Sequence, residues 1–390
     1  MNKQNENTNI LLCYRLHQFK KEIVPKLIKH KNDIIYLVAG SDGDSELIGH
    51  MLRLGKINKT NIKIYSVQDV LKGELDNMEG KFDNIVGNPP YQIPVGDGNK
   101  TKTIWDTLTV KFFSLLKDKG EMSLIHPGSW RFATENSIGT LKEVRNIYNS
   151  NKVIYAEFND IDKGYETFDA GTDYDVITIM KQDYNGITNT KTRNEVIDIK
   201  LSEFSVIPTD KISLFKSLKA KEDEEKVELM FDSSYHSQKT KIVQSNKNQT
   251  FRYPVVYTIT EKNGIKFYYS NTKDNGHFGI SKLILKKGAL NSILDIKGEY
   301  GMTQFASGYI DTPENLVRIQ KVIDNKELKL LKQYFVGAYT PKNAFIDGMG
   351  TMFKFIKEFR KDWWKEFYTD EMEQELINEG VLDDSGKYIG

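Results

Sequence analysis

Residues Phe82 to Gln92 read FDNIVGNPPYQ, and this stretch constrains the chain more than any other. A short β-branched run ends in a glycine and meets two prolines, so a strand starting at Phe82 has to stop by Gly87 and turn. In an α/β sheet, the loops beyond the carboxyl ends of the strands are where ligands sit. Asn88 brings a side-chain carbonyl that accepts a hydrogen bond. Pro89 offers only a backbone carbonyl, because its nitrogen carries no hydrogen, and Pro90 holds the preceding residue extended so that this carbonyl stays aimed. Tyr91 adds an aromatic face. Two acceptors beside a ring suit the presentation of a planar NH2 group to an electrophile, since gripping both amine hydrogens frees the nitrogen lone pair. A rigid proline turn is the plainer reading of the same four residues.

The flanking segments alternate between strand and helix patterns. Residues 1 to 9 are polar. From Ile10 to about His30, apolar side chains at Leu11, Leu12, Leu16, Phe19, Ile23, Leu27 and Ile28 recur at helical spacing, which predicts an amphipathic helix. Strand patterns follow at Ile34 to Ala39, Ile62 to Tyr65, Asp83 to Gly87, Met122 to His126, Val153 to Phe158 and Asp173 to Met180, with helical periodicity at Trp105 to Leu116 and 137–148. Six strands with intervening helices in this span predict an α/β fold with a doubly wound sheet. Ile93 to Thr103 reads as a loop rich in Gly, Asn and Lys that either closes over a ligand or is a surface excursion.

Composition shifts after Gln182, where QDYNGITNTKTR is polar and rich in turn residues, so the chain divides into 1–185 and a second, α+β domain at 186–390. The second half interleaves rings and cations: Tyr235 to Lys239, Phe251 to Tyr257 and Lys266 to Tyr269. Such residues either contact phosphates and bases or form cross-strand pairs. A stripe from Met352 to Tyr368 is read first as a core-facing aromatic face with a basic outer side, and secondarily as a DNA-contacting helix. Asp370 to Asp384 is an acidic tail.

The chain's 55 basic and 54 acidic side chains give no global attraction to a polyanion, so any positive field has to be local. A single cysteine, Cys13, excludes disulfides and cysteine-based zinc sites within one chain. The six histidines show no metal-binding spacing, and no metal is expected. Without an apolar span or signal-peptide core, the sequence predicts an intracellular, cytoplasmic protein.

The corner GNPPYQ, with IWD after it and IHPGSWR further on, resembles the adenine-N6 DNA methyltransferases of type II restriction-modification systems over about residues 34 to 181. The resemblance implies a Rossmann-like methyltransferase sheet with S-adenosyl-L-methionine (AdoMet) as cofactor and double-stranded DNA as partner. It makes Asn88, Pro89, Pro90 and Tyr91 catalytic and the second half a target-recognition domain, with Tyr235, Lys239, Arg252 and Trp130 as substrate contacts. Gly40, Asp42, Asp44, Glu46 and Leu47 fall into the family's second motif and Asp69 into its third, which makes Gly40, Asp42, Asp44 and Asp69 cofactor contacts. The same turn also reads as a degenerate glycine loop or a simple helix cap.

Nothing in residues 1 to 33 spells the family's Asp-Pro-x-x-Gly-x-Gly loop. The expectation is therefore a domain missing its first strand, with another chain supplying that piece or a restriction subunit as partner. Two alternatives accompany it: a catalytically impaired or split DNA-binding subunit, and a protein glutamine-amide methyltransferase.

Overall fold

The computed structural model describes residues 9–13, 34–39, 62–95, 101–134, 137, 139–232, 234–235, 241–260, 264–286, 292–325, 335 and 355–390. They form two compact units, Met1–Asp210 and Lys211–Gly390. The boundary expected at 185 falls between two strands of the first unit's sheet, so the polar stretch after Gln182 is a sheet edge, not a linker.

The first unit is built on a nine-stranded sheet. Its strands are β1 (Asn9–Cys13), β2 (Ile34–Ala39), β3 (Ile62–Ser66), β4 (Phe82–Gly87), β7 (Leu116–His126), β8 (Asn151–Asn159), β9 (Tyr174–Asp183), β10 (Thr188–Lys191) and β11 (Val196–Ile199). The order across the sheet is β3-β2-β1-β4-β7-β9-β8-β10-β11. Strands β3, β2, β1, β4 and β7 run parallel, and β9 inserts antiparallel between β7 and β8. This is an α/β, doubly wound, Rossmann-like sheet. The chain steps outward from β1 to β3, then crosses back to place β4 on β1's other side, a reversal of strand order of the kind at whose carboxyl edge α/β sheets bind ligands.

The presence of β1 corrects the expectation of a missing first strand. Asn9–Cys13 pairs with β2 from Asn9↔Ile34 to Cys13↔Val38, and with β4 from Ile10↔Asn84 to Cys13↔Gly87. The helix expected from Ile10 is likewise corrected over 10–13. A central parallel strand is covered on both faces and reads as an unbroken apolar run, and NILLC merged with the helical spacing after it. Residues 14–33, where a glycine loop would follow, lie outside the described residues.

The described residues of this unit include the helices α1 (Val67–Lys72), α2 (Trp105–Leu115), α3 (Thr140–Ser150) and α4 (Ile161–Phe168), of which the sequence predicts α2 and α3. Leu108, Phe112 and Leu115 of α2 and Val144 and Tyr148 of α3 are buried, as are Met122 and Leu124 of β7 and Ile177 and Ile179 of β9. Gly164 in α4 lets the returning loop pass close, because a Cβ there would sit 1.8 Å from the Thr172 carbonyl oxygen.

The second unit holds two four-stranded sheets. One has the order β12-β19-β16-β17, from β12 (Glu228–Phe231), β16 (Lys282–Lys286), β17 (Ser292–Asp295) and β19 (Ala306–Ile310). The other has the order β13-β15-β14-β18, from β13 (Val243–Gln244), β14 (Tyr253–Thr260), β15 (Gly264–Ser270) and β18 (Gly301–Met302). Helices α5 (Ile212–Leu218), α6 (Pro313–Asp324) and α7 (Asp370–Asn378) complete the described elements. The rings of Phe355, Phe359, Trp363 and Trp364 are buried, so the stripe faces a core, broken into short pieces and not one helix. Lys282 is buried in an ion pair with Asp295 at 2.8 Å.

A buried ion pair also ties the first unit together. Arg131 Nε donates to Asp175 Oδ2 at 2.9 Å, the Trp130 indole N–H donates to the same oxygen at 2.8 Å, and Arg131 Nη1 donates to Thr209 Oγ1 at 2.7 Å. Arg131 and Asp175 are fully buried. Asp175→Ala leaves the guanidinium without its counter-charge and is expected to cost about 3–5 kcal/mol in urea denaturation. A loss below about 1 kcal/mol would contradict this role.

Candidate active site at the end of the fourth strand

Strand β4 leaves the sheet at Gly87, which pairs with Cys13 on one side and Leu124 on the other. The next residue, Asn88, is buried, as is Pro89, while Pro90 and Tyr91 are half-buried. The four residues therefore emerge together at the carboxyl edge, at the reversal of strand order. Beyond Tyr91 the chain makes a two-stranded hairpin of β5 (Gln92–Pro94) and β6 (Thr101–Thr103), in register from Gln92↔Thr103 to Pro94↔Thr101. Part of the loop read at Ile93 to Thr103 is thus a paired strand, and 96–100 lie outside the described residues. The Ile104 N–H donates to the Tyr91 carbonyl at 3.1 Å and closes the hairpin's base. A stiff corner with two acceptor groups is held at both ends.

Asp69 stands just past the tip of β3, three residues into a capping box. Its Oδ2 accepts from the Ser66 N–H at 2.8 Å, and its own N–H donates to Ser66 Oγ at 3.1 Å. The Ser66 hydroxyl, then its backbone N–H, holds the Asp69 carboxyl below its ordinary value, so it is a charged acceptor at neutral pH. Gly40, Asp42 and Asp44 follow β2 in sequence and lie outside the described residues, as does Lys239.

Two expected substrate contacts are corrected. Trp130 is fully buried, its ring edge-on to Tyr148 at 4.7 Å. Tyr235 is also fully buried, with its hydroxyl donating to the Asn275 carbonyl at 3.0 Å and accepting from Ser270 Oγ at 3.0 Å. Both rings have a polar atom satisfied inside the fold, so neither is available to DNA. Arg252 is exposed, with its guanidinium over the Tyr253 ring at 5.0 Å.

Sequence reasoning passed over a buried polar cluster beside the corner. His126 ends β7, two residues past the Leu124 that pairs with Gly87. The Trp105 indole stacks on its imidazole with centroids 4.8 Å apart and planes within 12°. A carbonyl oxygen can only accept, so His126 Nδ1–H donates to the Pro127 carbonyl at 3.0 Å. Nε2 is then the acceptor, taking a hydrogen bond from the Tyr148 hydroxyl at 2.7 Å. Burial pulls the His126 pKa down to about 4, opposed by the bond to Pro127, and burial raises the Tyr148 hydroxyl well above its ordinary range. The imidazole is neutral and fixed in one tautomer, and protonation would turn Nε2 into a donor facing a hydroxyl that now has to accept. The string His126 to Arg131, dense in rings and polar groups, was the available signal. In a 15N NMR titration the Nδ1–H tautomer is expected to persist until the pH falls towards about 4. Protonation centred at about 6.5, the value of an exposed histidine, would contradict the geometry.

Among the described residues, no helix is long and apolar enough to cross a membrane. Comparison with known proteins gives a match of residues 6–168 to the Eco57I restriction-modification methylase family. A curated relative from Mycoplasma pneumoniae, described as an uncharacterized adenine-specific methylase, is 30% identical over 144 residues, 36% of this chain and 31% of the relative. The chain thus spans about a third of that relative's length. Among solved structures, the methyltransferase subunit of a type I restriction-modification system from Streptococcus thermophilus is 12% identical. That likeness covers 51% of this chain and 47% of that one with a TM-score of 0.36. The type IIG restriction endonuclease BpuSI is 10% identical over 93% of this chain and 57% of its own, with a TM-score of 0.40. Over residues 6–168 the chain is thus similar to the methylase domains of the Eco57I restriction-modification family.

Proposed function

We propose that this chain transfers a methyl group from AdoMet to the exocyclic N6 amine of adenine in double-stranded DNA, in a restriction-modification setting with a restriction subunit as partner. The observation that carries the reading is the Asn88-Pro89-Pro90-Tyr91 corner, stiff and tied at its base, standing where β4 leaves the sheet beside the reversal of strand order. Because β1 belongs to this chain, no second polypeptide is needed for that strand.

The residues at that edge fit AdoMet. Asp69 offers a charged acceptor of the kind that ribose hydroxyls or an adenine amine require, and Gly40, Asp42 and Asp44 are the residues that would join it. When bound, AdoMet supplies a methyl group activated by the adjacent sulfonium charge. The chain's own residues do the rest. An adenine inside a duplex cannot reach the corner, so the base is turned out of the stack at a cost of a few kcal/mol and rests against the Tyr91 ring. Its two amine hydrogens donate to the Asn88 side-chain oxygen and the Pro89 carbonyl, which frees the nitrogen lone pair towards the methyl carbon. As the N–C bond forms and the S–CH3 bond breaks with its electron pair kept by sulfur, the nitrogen gains positive charge that the same two oxygens stabilise, and the nitrogen then loses one proton to solvent.

Local charge in the second unit supports DNA as the substrate. Residues 239–297 hold eleven Lys and Arg against three Asp and Glu, a net of plus eight in a chain whose total is plus one. In this segment Lys266 Nζ lies over the stacked rings of Tyr257 and Tyr268, at 5.3 and 5.7 Å, and Lys273 Nζ lies over Tyr253 at 5.3 Å. No carboxylate among the described residues forms an ion pair with Arg252, Lys266 or Lys273, so their charge is available to phosphates.

Asn88→Ala is expected to reduce transfer of labelled methyl to DNA by at least about 100-fold with the thermal unfolding midpoint unchanged. Wild-type rates in that variant would overturn the mechanism. Replacing Arg252, Lys266 and Lys273 with Gln is expected to weaken duplex binding. It should also flatten the slope of log K against log salt by about 0.9 for each cation that meets a phosphate. An unchanged slope would remove this face from the DNA contact.

A further inference from the structure

Pro89 and Pro90 contribute no N–H groups, so two consecutive residues of the corner lack backbone donors, and what grips its ends contributes to its placement. One end is the strand itself. The other is the bond from the Ile104 N–H to the Tyr91 carbonyl, at 3.1 Å, and Ile104 is buried immediately before α2.

What holds Ile104 is a continuous stack. Trp105, the first residue of α2, is buried and lies face to face with His126 at 4.8 Å. Both ring nitrogens of His126 are occupied, by the Pro127 carbonyl and the Tyr148 hydroxyl. Tyr148, on α3, meets Trp130 edge-on, and the Trp130 indole donates to the buried Asp175 of β9. One more bond keeps α2 from sliding, the Thr140 hydroxyl of α3 donating to the Asp106 carboxylate, while inside α2 Thr109 Oγ1 donates to the Trp105 carbonyl at 2.8 Å. A chain of contacts therefore runs from the Tyr91 carbonyl through Ile104, Trp105, His126, Tyr148 and Trp130 into the rigid centre of the sheet.

We infer that Trp105 and His126 are positioning residues, a ring stack that sets where Tyr91 and the two acceptors of the corner stand relative to the incoming amine. This rests on the methyl-transfer reading, since it assigns the stack a task in that reaction. Neither residue touches the substrate; each acts through Ile104 and Tyr91. Loss of the indole face leaves α2 folded but frees its first turn to shift, and a displacement of about 1 Å at a reacting centre costs on the order of 100-fold in rate.

The test compares Trp105→Leu, Trp105→Phe and a control, Val144→Ala, which removes buried volume from α3 one turn before Tyr148 and leaves the Trp105 and His126 rings intact. For Trp105→Leu, kcat is expected to fall about 10- to 100-fold while KM for DNA and for AdoMet each change less than about twofold. Trp105→Phe, which restores a ring, should recover most of kcat, and Val144→Ala should stay within about twofold of the parent. Hydrogen–deuterium exchange gives a readout independent of turnover, with faster exchange across residues 88–104 in Trp105→Leu and parental exchange there in Val144→Ala. A kcat in Trp105→Leu no lower than in Val144→Ala, or unchanged exchange across 88–104, overturns the positioning role. If the parent transfers no methyl to DNA, the methyl-transfer reading fails and the exchange comparison alone decides the stack.

Discussion

Two adjacent prolines remove two backbone donors from the segment that follows β4, and the rest of the site is arranged around that deficit. The segment carries two acceptors that lack matching backbone donors, so its shape depends in part on what flanks it. The sheet answers this dependence by pairing Gly87 on both sides, with Cys13 and Leu124, before the chain turns. The hairpin β5–β6 and the Ile104 N–H answer it from the far end. Stiffness, acceptor character and placement thus come from three different sources: proline geometry, the missing N–H groups, and the parallel sheet.

Behind this edge the domain contains more polarity than a purely structural core requires. His126, Tyr148, Trp130, Arg131 and Asp175 are buried and linked by hydrogen bonds or ring contacts. Burial pushes the Asp175 carboxyl up to about 6, with Arg131 pulling the other way, and pulls His126 down to about 4. Both groups therefore keep one charge state through neutral pH, Asp175 ionised against its guanidinium and His126 neutral. Such a network fixes side-chain geometry more tightly than apolar packing does, because each bond has a direction as well as a distance.

The sequence carried much of this fold, and it failed in physically intelligible places. Strands β2, β3, β4, β7, β8 and β9 were legible because each concentrates β-branched and apolar residues between turn signals. Strand β1 was not, because Ile10 to Leu12 satisfy a helical spacing as readily as a strand. Strands β10 and β11 were hidden for the opposite reason. TNTK and VIDI lie at the sheet's outer edge, where half of each strand faces solvent and the polar residues read as a linker. The corner was legible because proline and asparagine constrain the backbone locally, whereas its buttress was not. That His126 would meet Trp105 across 21 residues follows from the pairing of β7 with β4, which no local pattern encodes. Trp130 and Tyr235 show the same ambiguity, since an aromatic ring with a polar tip serves equally as a ligand contact or as a satisfied core residue.

The claim on which the account turns is that the two oxygens at Asn88 and Pro89 select an exocyclic amine of adenine. Duplex DNA incubated with the purified chain and isotopically labelled AdoMet, digested to nucleosides and analysed by mass spectrometry, tests that claim most directly. The account predicts the label in N6-methyladenine. Label in a cytosine or in protein glutamine, or an absence of label from every nucleoside, would contradict it.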